Sequence, residues 1–480
     1  MEKHKNFIGG EWVAPTGDQY TEIRNPADTN DIVGYAPRSA AADVDQAIAA
    51  AQAAYGAWAG RPAPERGRIL YKAANIIEGQ IDVWAAELTR EEGKTRTEAR
   101  MEVVRAVEVF RYFAGEAWRV GGDVLPADTT NTLLYSKRVP LGAVAIITPW
   151  NFPLSIPVWK MAPALVMGNT VVLKPASATP IMALRLMGAL HEAGVPAGVV
   201  NCVTGSGAVI GDQLATDPRI KAVSFTGSYA VGHALYQKTA LRLTRTHLEM
   251  GGKNPVIVAA DADLDKAVSI VVRGGYGLTG QACTATSRVI VDRSIVDEFS
   301  RRLIAAAQKI VVGPGLVDGV QMGPAVSAAQ RDIDNDFVAL AAEQGAQVSI
   351  GGNEVAAQGY FVRPTVVTGV TGQMRIAQEE VFGPVIGILQ AGDMNEALAL
   401  SNDIAYGLSA TIVTNDLRQA IRFAEQAEAG MLKVNQPTAG VSIQAPFGGF
   451  KNSGSGMFRE MGKSAVEFFS QEKAIYIDGN

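Results

Sequence analysis

The chain has 480 residues, 48% of them hydrophobic and 19% charged, which provides for large cores in more than one domain and excludes a disordered chain. Its 43 basic and 48 acidic residues leave a net charge of −5 without long same-sign runs, which excludes the basic footprint of a nucleic-acid or anionic-membrane binder. The two cysteines, Cys202 and Cys283, exclude a disulfide framework, no repeated Cys/His spacing suggests a metal, and the expected compartment is the reducing cytoplasm.

At the N-terminus, "MEKHKNFIGGEW" lacks the apolar core and small-residue cleavage site of a signal peptide. A short strand-like start leads into a helical region that ends near residue 121. Within it Ile81, Trp84, Ala85 and Leu88 follow the i, i+3, i+4, i+7 spacing of one buried face, and Gly93 supplies the stop. Residues 122–141, "GGDVLP" and "TLLYSKRVP" around the polar turn "ADTTN", predict a hairpin. The uncharged run Val139 to Trp159 is long enough to cross a bilayer, but Pro140, Pro149, Pro153 and Pro157 mark it as strand and loop.

From Gly142 to Ala260 apolar strand-like runs alternate with amphipathic segments, the pattern of parallel βαβ units with helices on both faces. Ligands of such sheets bind beyond the strands' carboxyl ends, where "TPWN", "KPAS" and "FTGS" fall. A second alternation begins at "DADLDKAV" and carries Cys283. The tail, "AVEFFSQEKAIYID", predicts a terminal strand that needs a partner.

Taken singly, the polar motifs admit more than one role. In "VTGSGAVIG" the third glycine, Gly211, comes one position late for G-x-G-x-x-G, so Gly205 and Gly207 suit a tight turn. "FTGSYAVG" can present Gly227, Ser228 and Gly232 to a phosphate, or simply open a helix. Glu249 in "HLEMGGK" can face a cleft or end a strand in a salt bridge; Asn151 in "TPWNFP" can donate to an oxyanion or make an Asx turn. Cys202 reads as packing, whereas Gly280, Ala282 and Thr284 leave space around Cys283. A thiol hydrolase would need a histidine partner, and none of His4, His191, His233 and His247 has a convincing local motif.

In chain order, "TPWNFP", "KPAS", "FTGS", "LEMGGK", "GQACTATSR", "EEVFGPV" and "PFGGFKNSGSG" resemble the signature set of the aldehyde dehydrogenase superfamily across essentially the whole chain. The resemblance implies an α/β, aldehyde dehydrogenase-like fold. Its parts would be a Rossmann-type cofactor domain (1–121 and 142–250), an α/β catalytic domain (251–440) and a small β oligomerisation element (122–141 with 465–480). Residues 441–464 would return to the cofactor domain. In relatives the small element pairs subunits, which implies a homodimer or homotetramer.

The resemblance also implies roles: Cys283 as nucleophile, Glu249 as general base, Asn151 with the Cys283 N–H as oxyanion hole, and Lys160 in the catalytic set. Thr148, Pro149 and Trp150 carry over to the nicotinamide site, Lys174 and Ser177 to the adenosine ribose, and Gly227, Ser228 and Gly232 to the pyrophosphate. Gly207 and Gly251 join the cofactor cleft, and Glu380 and Phe382 the ribose and nicotinamide contacts. The implied reaction is NAD(P)+-dependent oxidation of an aldehyde to an acid through a Cys283 thioester, hydrolysed by water that Glu249 activates. Acylating relatives that pass the group to coenzyme A typically lack this glutamate.

Strictly NAD-dependent relatives often carry glutamate where this chain has Ser177. Serine removes the repulsion of a 2′-phosphate and Lys174 can pair with it, so NADP+ is expected, with NAD+ usable. The substrate entrance is expected at Phe152, Trp159, Phe447 and the segment around Val441 to Gln444. Succinic semialdehyde dehydrogenases tend to show arginine where Trp159 stands, so any distal anion must be held elsewhere. "NPADTNDIVGY", "IPVWKMAPALV", "CTATSRVIV" and "AGVSIQAPFGG" look closest to bacterial 2-oxoglutarate semialdehyde (2,5-dioxopentanoate) dehydrogenases. The alternatives are a succinate-semialdehyde or broad-range aliphatic and aromatic aldehyde dehydrogenase, and, from a different class, a cofactor-independent thiol esterase using Cys283 with His247.

Overall fold

The computed structural model describes residues 2–352 and 358–479; the expected divisions of the chain also include residues 1, 353–357 and 480, which lie outside them. Two seven-stranded sheets organise the α/β fold. In spatial order the first holds Arg245–Glu249, Ile220–Thr226, Ala143–Ile147, Thr170–Lys174, Val200–Cys202, Asn6–Ile8 and Glu11–Val13. The first five of these run parallel.

Alternate residues of one strand point to opposite faces, and here each face has its own core. Val144 and Ile146 join the apolar cluster under the helices Ala63–Glu78, Arg96–Glu116, Ser155–Met167 and Ile181–Glu192. Ala143, Ala145 and Ile147 join the cluster under Ala41–Gly60. Strand order reverses between Ala143–Ile147 and Ile220–Thr226, so a crevice opens beyond their carboxyl ends at Thr148 and Gly227.

The second sheet runs Gln347–Ile350, Thr365–Thr368, Val385–Ala391, Thr286–Asp292, Asn254–Val258, Ser409–Val413, Met431–Val434, parallel except for its first pair. Helix Ile81–Glu92 buries Trp84, Ala85 and Leu88 and ends at Gly93, whose φ of 101° suits glycine.

The N-terminal start is richer than one short strand. Asn6–Ile8 and Glu11–Val13 extend the first sheet antiparallel, and Tyr20–Asn25 pairs with Asp28–Pro37 in a separate hairpin. Three-residue strands are too short to show alternation. The 122–141 hairpin keeps only Val124–Leu125 as its first strand, paired with Thr132–Pro140. The tail finds its partner inside the chain: Ser470–Asp478 pairs antiparallel along the whole of Thr132–Pro140, while Tyr476 and Ile477 stay exposed. No helix among the described residues is long and apolar enough to cross a membrane.

Candidate active site

Cys283 lies on the irregular stretch between helix Leu264–Tyr276 and strand Thr286–Asp292. Leu278, Thr279 and Gly280 adopt left-handed φ values of 53°, 57° and 67°, and a Cβ on Gly280 would lie 2.2 Å from the Gly383 carbonyl oxygen. Such a turn persists only when its surroundings hold it. Here Leu278 N–H donates to Glu98 at 2.7 Å, Thr279 Oγ1 to the Gly323 carbonyl, and Asn254 Nδ2 to the Cys283 and Ala285 carbonyls at 2.8 and 2.9 Å. The Cys283 side chain remains partly exposed, whereas Cys202 is fully buried. Burial, then the charges of Glu380, Glu249 and Glu460, push the Cys283 thiol above its usual range.

Asn151 follows the first strand of the crevice and donates through Nδ2 to the Gln281 carbonyl at 2.9 Å, which brings its amide alongside the Cys283 loop. Behind it sits a buried ion pair: Lys94 Nζ donates to Glu102 and to the Asn151 carbonyl, each at 2.6 Å. The other Glu102 oxygen accepts from Leu154 N–H and Ser155 N–H, both at 3.0 Å, at the start of helix Ser155–Met167. The turn bearing Asn151 is therefore gripped at both ends. Lys94 Nζ also lies 4.6 Å from the Phe152 ring centre.

Glu249 ends strand Arg245–Glu249 and is buried, with its Oε2 unpartnered. Its Oε1 lies 3.1 Å from His247 Nε2, while His247 Nδ1 is 3.6 Å from Glu460. Lys160 pairs with Glu460 and donates to Ser224 Oγ at 2.9 Å. Burial and the Glu460 charge hold the Glu249 carboxyl well above the usual carboxylate range; burial, Lys160 and Arg459 hold His247 well below the usual imidazole range. His247 thus faces Glu249 and Glu460 rather than serving as a dedicated partner for the thiol. Glu460 reaches the cluster because the 441–464 segment folds back, with Phe447 and Glu460 exchanging main-chain hydrogen bonds at 2.7 Å.

The crevice suits a dinucleotide: Thr148 Oγ1 and Thr226 Oγ1, at the carboxyl ends of the strands where the order reverses, are buried hydroxyls without a partner. Trp150 and Phe382 meet edge to face, ring centres 5.3 Å apart, with Phe382 at a left-handed φ of 62°. Pro149 lies between Thr148 and Trp150, whose carbonyl accepts from Thr179 Oγ1 at 3.1 Å. Lys174 Nζ donates to the Pro175 carbonyl and is lowered to about 8 by burial; Ser177 Oγ donates to the Gly205 carbonyl at 2.8 Å. Gly207 lies next to Lys174, its Cβ direction 3.9 Å from Lys174 Cε.

Ser228 occupies the N-cap position of helix Tyr229–Ala240, and its side chain makes no capping bond. Gly227 and Gly232 sit close to the Phe225 ring and Met250 sulfur, which would lie 2.5 and 2.6 Å from an added Cβ. On that side they allow tight strand–helix packing. Gly251 is pressed against Glu380, which accepts from Gly252 N–H at 2.9 Å and is pushed up to about 7 by burial. At the entrance expected from the sequence Trp159 and Phe447 meet edge to face at 5.6 Å, while Phe152 turns to Lys94. No cluster among the described residues could hold a metal ion.

Sequence reasoning missed Glu460, Lys94, Glu102 and Asn254. Each lies far along the chain from the group it serves, without a local signal. His247 was legible as a histidine, and only its partner was not: two positions apart on a strand, His247 and Glu249 must share a face.

An aldehyde dehydrogenase family model matches residues 12–475. The chain is 45% identical over 476 residues to an alpha-ketoglutaric semialdehyde dehydrogenase of Bacillus subtilis, covering 98% of this chain and 97% of that one. It is 44% identical over 471 residues to a 2,5-dioxopentanoate dehydrogenase of Saccharolobus solfataricus, covering 98% of each. Among solved structures, the betaine aldehyde dehydrogenase of Staphylococcus aureus in complex with NAD+ superposes with a TM-score of 0.97 at 34% identity, covering 100% of this chain and 95% of that one. An NADP-dependent enzyme of E. coli gives 0.96 at 36%, covering 99% and 98%. With the family model spanning nearly every residue and the site assembled on its fold, the chain belongs to the aldehyde dehydrogenase family, whose members use NAD(P).

Proposed function

We propose that the protein oxidises an ω-carboxylated semialdehyde, 2,5-dioxopentanoate, to its acid with Cys283 as nucleophile. The carrying observation is a partly exposed Cys283 on a rigidly held turn, with Asn151 donating to the neighbouring Gln281 carbonyl and the charge of Glu249 acting on the thiol. The substrate comes from the two relatives above. Succinate semialdehyde and simple aliphatic or aromatic aldehydes are the competing substrates.

A water takes the Cys283 thiol proton and passes it to solvent, and the resulting thiolate attacks the aldehyde carbon. The oxygen gains negative charge and accepts from Asn151 Nδ2 and the Cys283 N–H, donors that need no reorganisation because Lys94 and Asn254 already hold their backbone. NAD(P)+, when bound, supplies the hydride acceptor, leaving an acyl thioester on the sulfur. Glu249 then takes a proton from water, which adds to the thioester carbon; the acid leaves and the sulfur is restored. His247, Glu460 and Lys160 surround Glu249 and give that proton a buried polar route.

Thr148, Pro149, Trp150, Lys174, Ser177, Gly207, Gly227, Ser228, Gly232, Gly251, Glu380 and Phe382 are proposed to form the cofactor cleft, with NADP+ preferred over NAD+. A serine already bonded to Gly205 in place of a carboxylate, with Lys174 nearby, supports that preference. Residues 1–121 with 142–250 would form the cofactor domain, 251–440 the catalytic domain, and 122–141 with 465–480 the pairing element of a homodimer or homotetramer. The exposed Tyr476 and Ile477 on the terminal strand support that pairing. The free thiols suit the cytoplasm. The test is kcat/KM for 2,5-dioxopentanoate, succinate semialdehyde, pentanal and benzaldehyde with each cofactor. Equal efficiency for the neutral aldehydes would refute the substrate class.

A further inference from the structure

A carboxylated substrate needs a cation, and the apolar cluster that Cys283 packs against does not supply one. Trp159, Val441, Ile443, Phe447 and Phe458 pack with Cys283 on one apolar cluster, where an unpaired carboxylate would be costly. Of the cations that touch the 438–449 stretch, Lys433 spends Nζ on the carbonyls of Thr438, Ala439 and Gly440. Arg459 donates to the Gly449 carbonyl and lies over the Phe450 ring, on the side of the general base.

Arg105 is different. It projects from helix Arg96–Glu116, which packs along the helix carrying Trp159, and its side chain is 23% exposed. Nη2 donates to the Val441 carbonyl, so the guanidinium lies against the expected entrance segment. Its acidic neighbour, Glu108, forms an ion pair with Nη1 at 3.6 Å but is itself 53% exposed, so water weakens the pair. A guanidinium has five N–H donors in a planar fork, so this partly desolvated one keeps donors for a carboxylate.

We infer that Arg105 anchors the distal carboxylate of the aldehyde substrate and that its bond to Val441 aims the fork across the entrance. This rests on the reading of the Cys283 site as one for ω-carboxylated aldehydes. It makes Arg105 a specificity residue that leaves the chemistry at sulfur alone.

The experiment compares wild-type protein with Arg105→Met and Arg105→Lys on 2,5-dioxopentanoate and on pentanal, a neutral aldehyde of the same chain length. Calorimetry of 2-oxoglutarate, the product, is run on each protein without cofactor. In Arg105→Met, kcat/KM for the carboxylated aldehyde should fall about 100-fold, chiefly through KM, and pentanal should change by less than about 3-fold. Product binding should weaken in parallel, and Arg105→Lys, which keeps the charge but loses the fork, should fall between. Should Arg105→Met not fold, the Lys variant carries the same comparison. A wild-type preference for the carboxylated aldehyde that survives in the variants overturns the anchor alone; a wild-type protein without that preference overturns the substrate reading and the anchor together.

Discussion

His247 Nε2 lies 3.1 Å from Glu249 Oε1, both side chains buried on the same face of one strand. The Phe458 main chain hydrogen-bonds the ring and raises its basicity slightly, but burial, Lys160 and Arg459 keep the imidazole neutral. A neutral imidazole keeps one bare ring nitrogen, and in the tautomer with its proton on Nδ1, Nε2 accepts from a protonated Glu249. The pair therefore holds the base in its acid form until the proton leaves.

Turnover should accordingly rise with pH, because only the Glu249 carboxylate can take a proton from water and its pKa is raised. His247→Leu removes the acceptor that favours neutral Glu249, so the midpoint of the rising limb should move to lower pH. The check is kcat against pH for both proteins; an unmoved midpoint would separate the histidine from the base.

Cys283→Ala should abolish aldehyde oxidation. Glu249→Gln should instead keep a single burst of reduced nicotinamide equal to the number of sites, with steady turnover lowered about 10²- to 10⁴-fold. Rapid-mixing absorbance distinguishes the two, since the first variant lacks the bond-forming sulfur and the second lacks only the step that frees it.

Asn151→Ala should lower kcat about 10²- to 10³-fold with little change in KM, because the amide acts on charge that develops only after attack. Steady-state kinetics on a fast neutral aldehyde is the measurement.

Lys94→Met leaves Glu102 buried without its cation and frees the Asn151 carbonyl. Breaking one half of such a pair costs about 3–5 kcal/mol. Urea denaturation should show that loss, and kcat should fall as well, since the lost contact holds the turn carrying the oxyanion donor.

Ser177→Glu should cut NADP+ efficiency by roughly 100-fold while NAD+ efficiency holds, because a carboxylate there would face the 2′-phosphate as a like charge. Paired titrations with the two cofactors decide it.

Local chemistry along the chain was enough to show the parallel βαβ alternation, the helix closed by Gly93, the strand at the tail, and the ordered motifs that bear Asn151, Glu249 and Cys283. Those features depend on neighbours within a few residues: side-chain periodicity, turn glycines and strand-end loops. Folding decided the rest. The two N-terminal edge strands are too short for periodicity and exist because the sheet accepts them. The tail pairs with a strand far back in the chain, and Arg138 donates to Ser470 Oγ across 332 positions. Glu460 reaches Lys160 across 300 positions, and Arg105 reaches Val441 across 336. Charged groups so distant in sequence leave no local pattern, and only the packed chain brings them together.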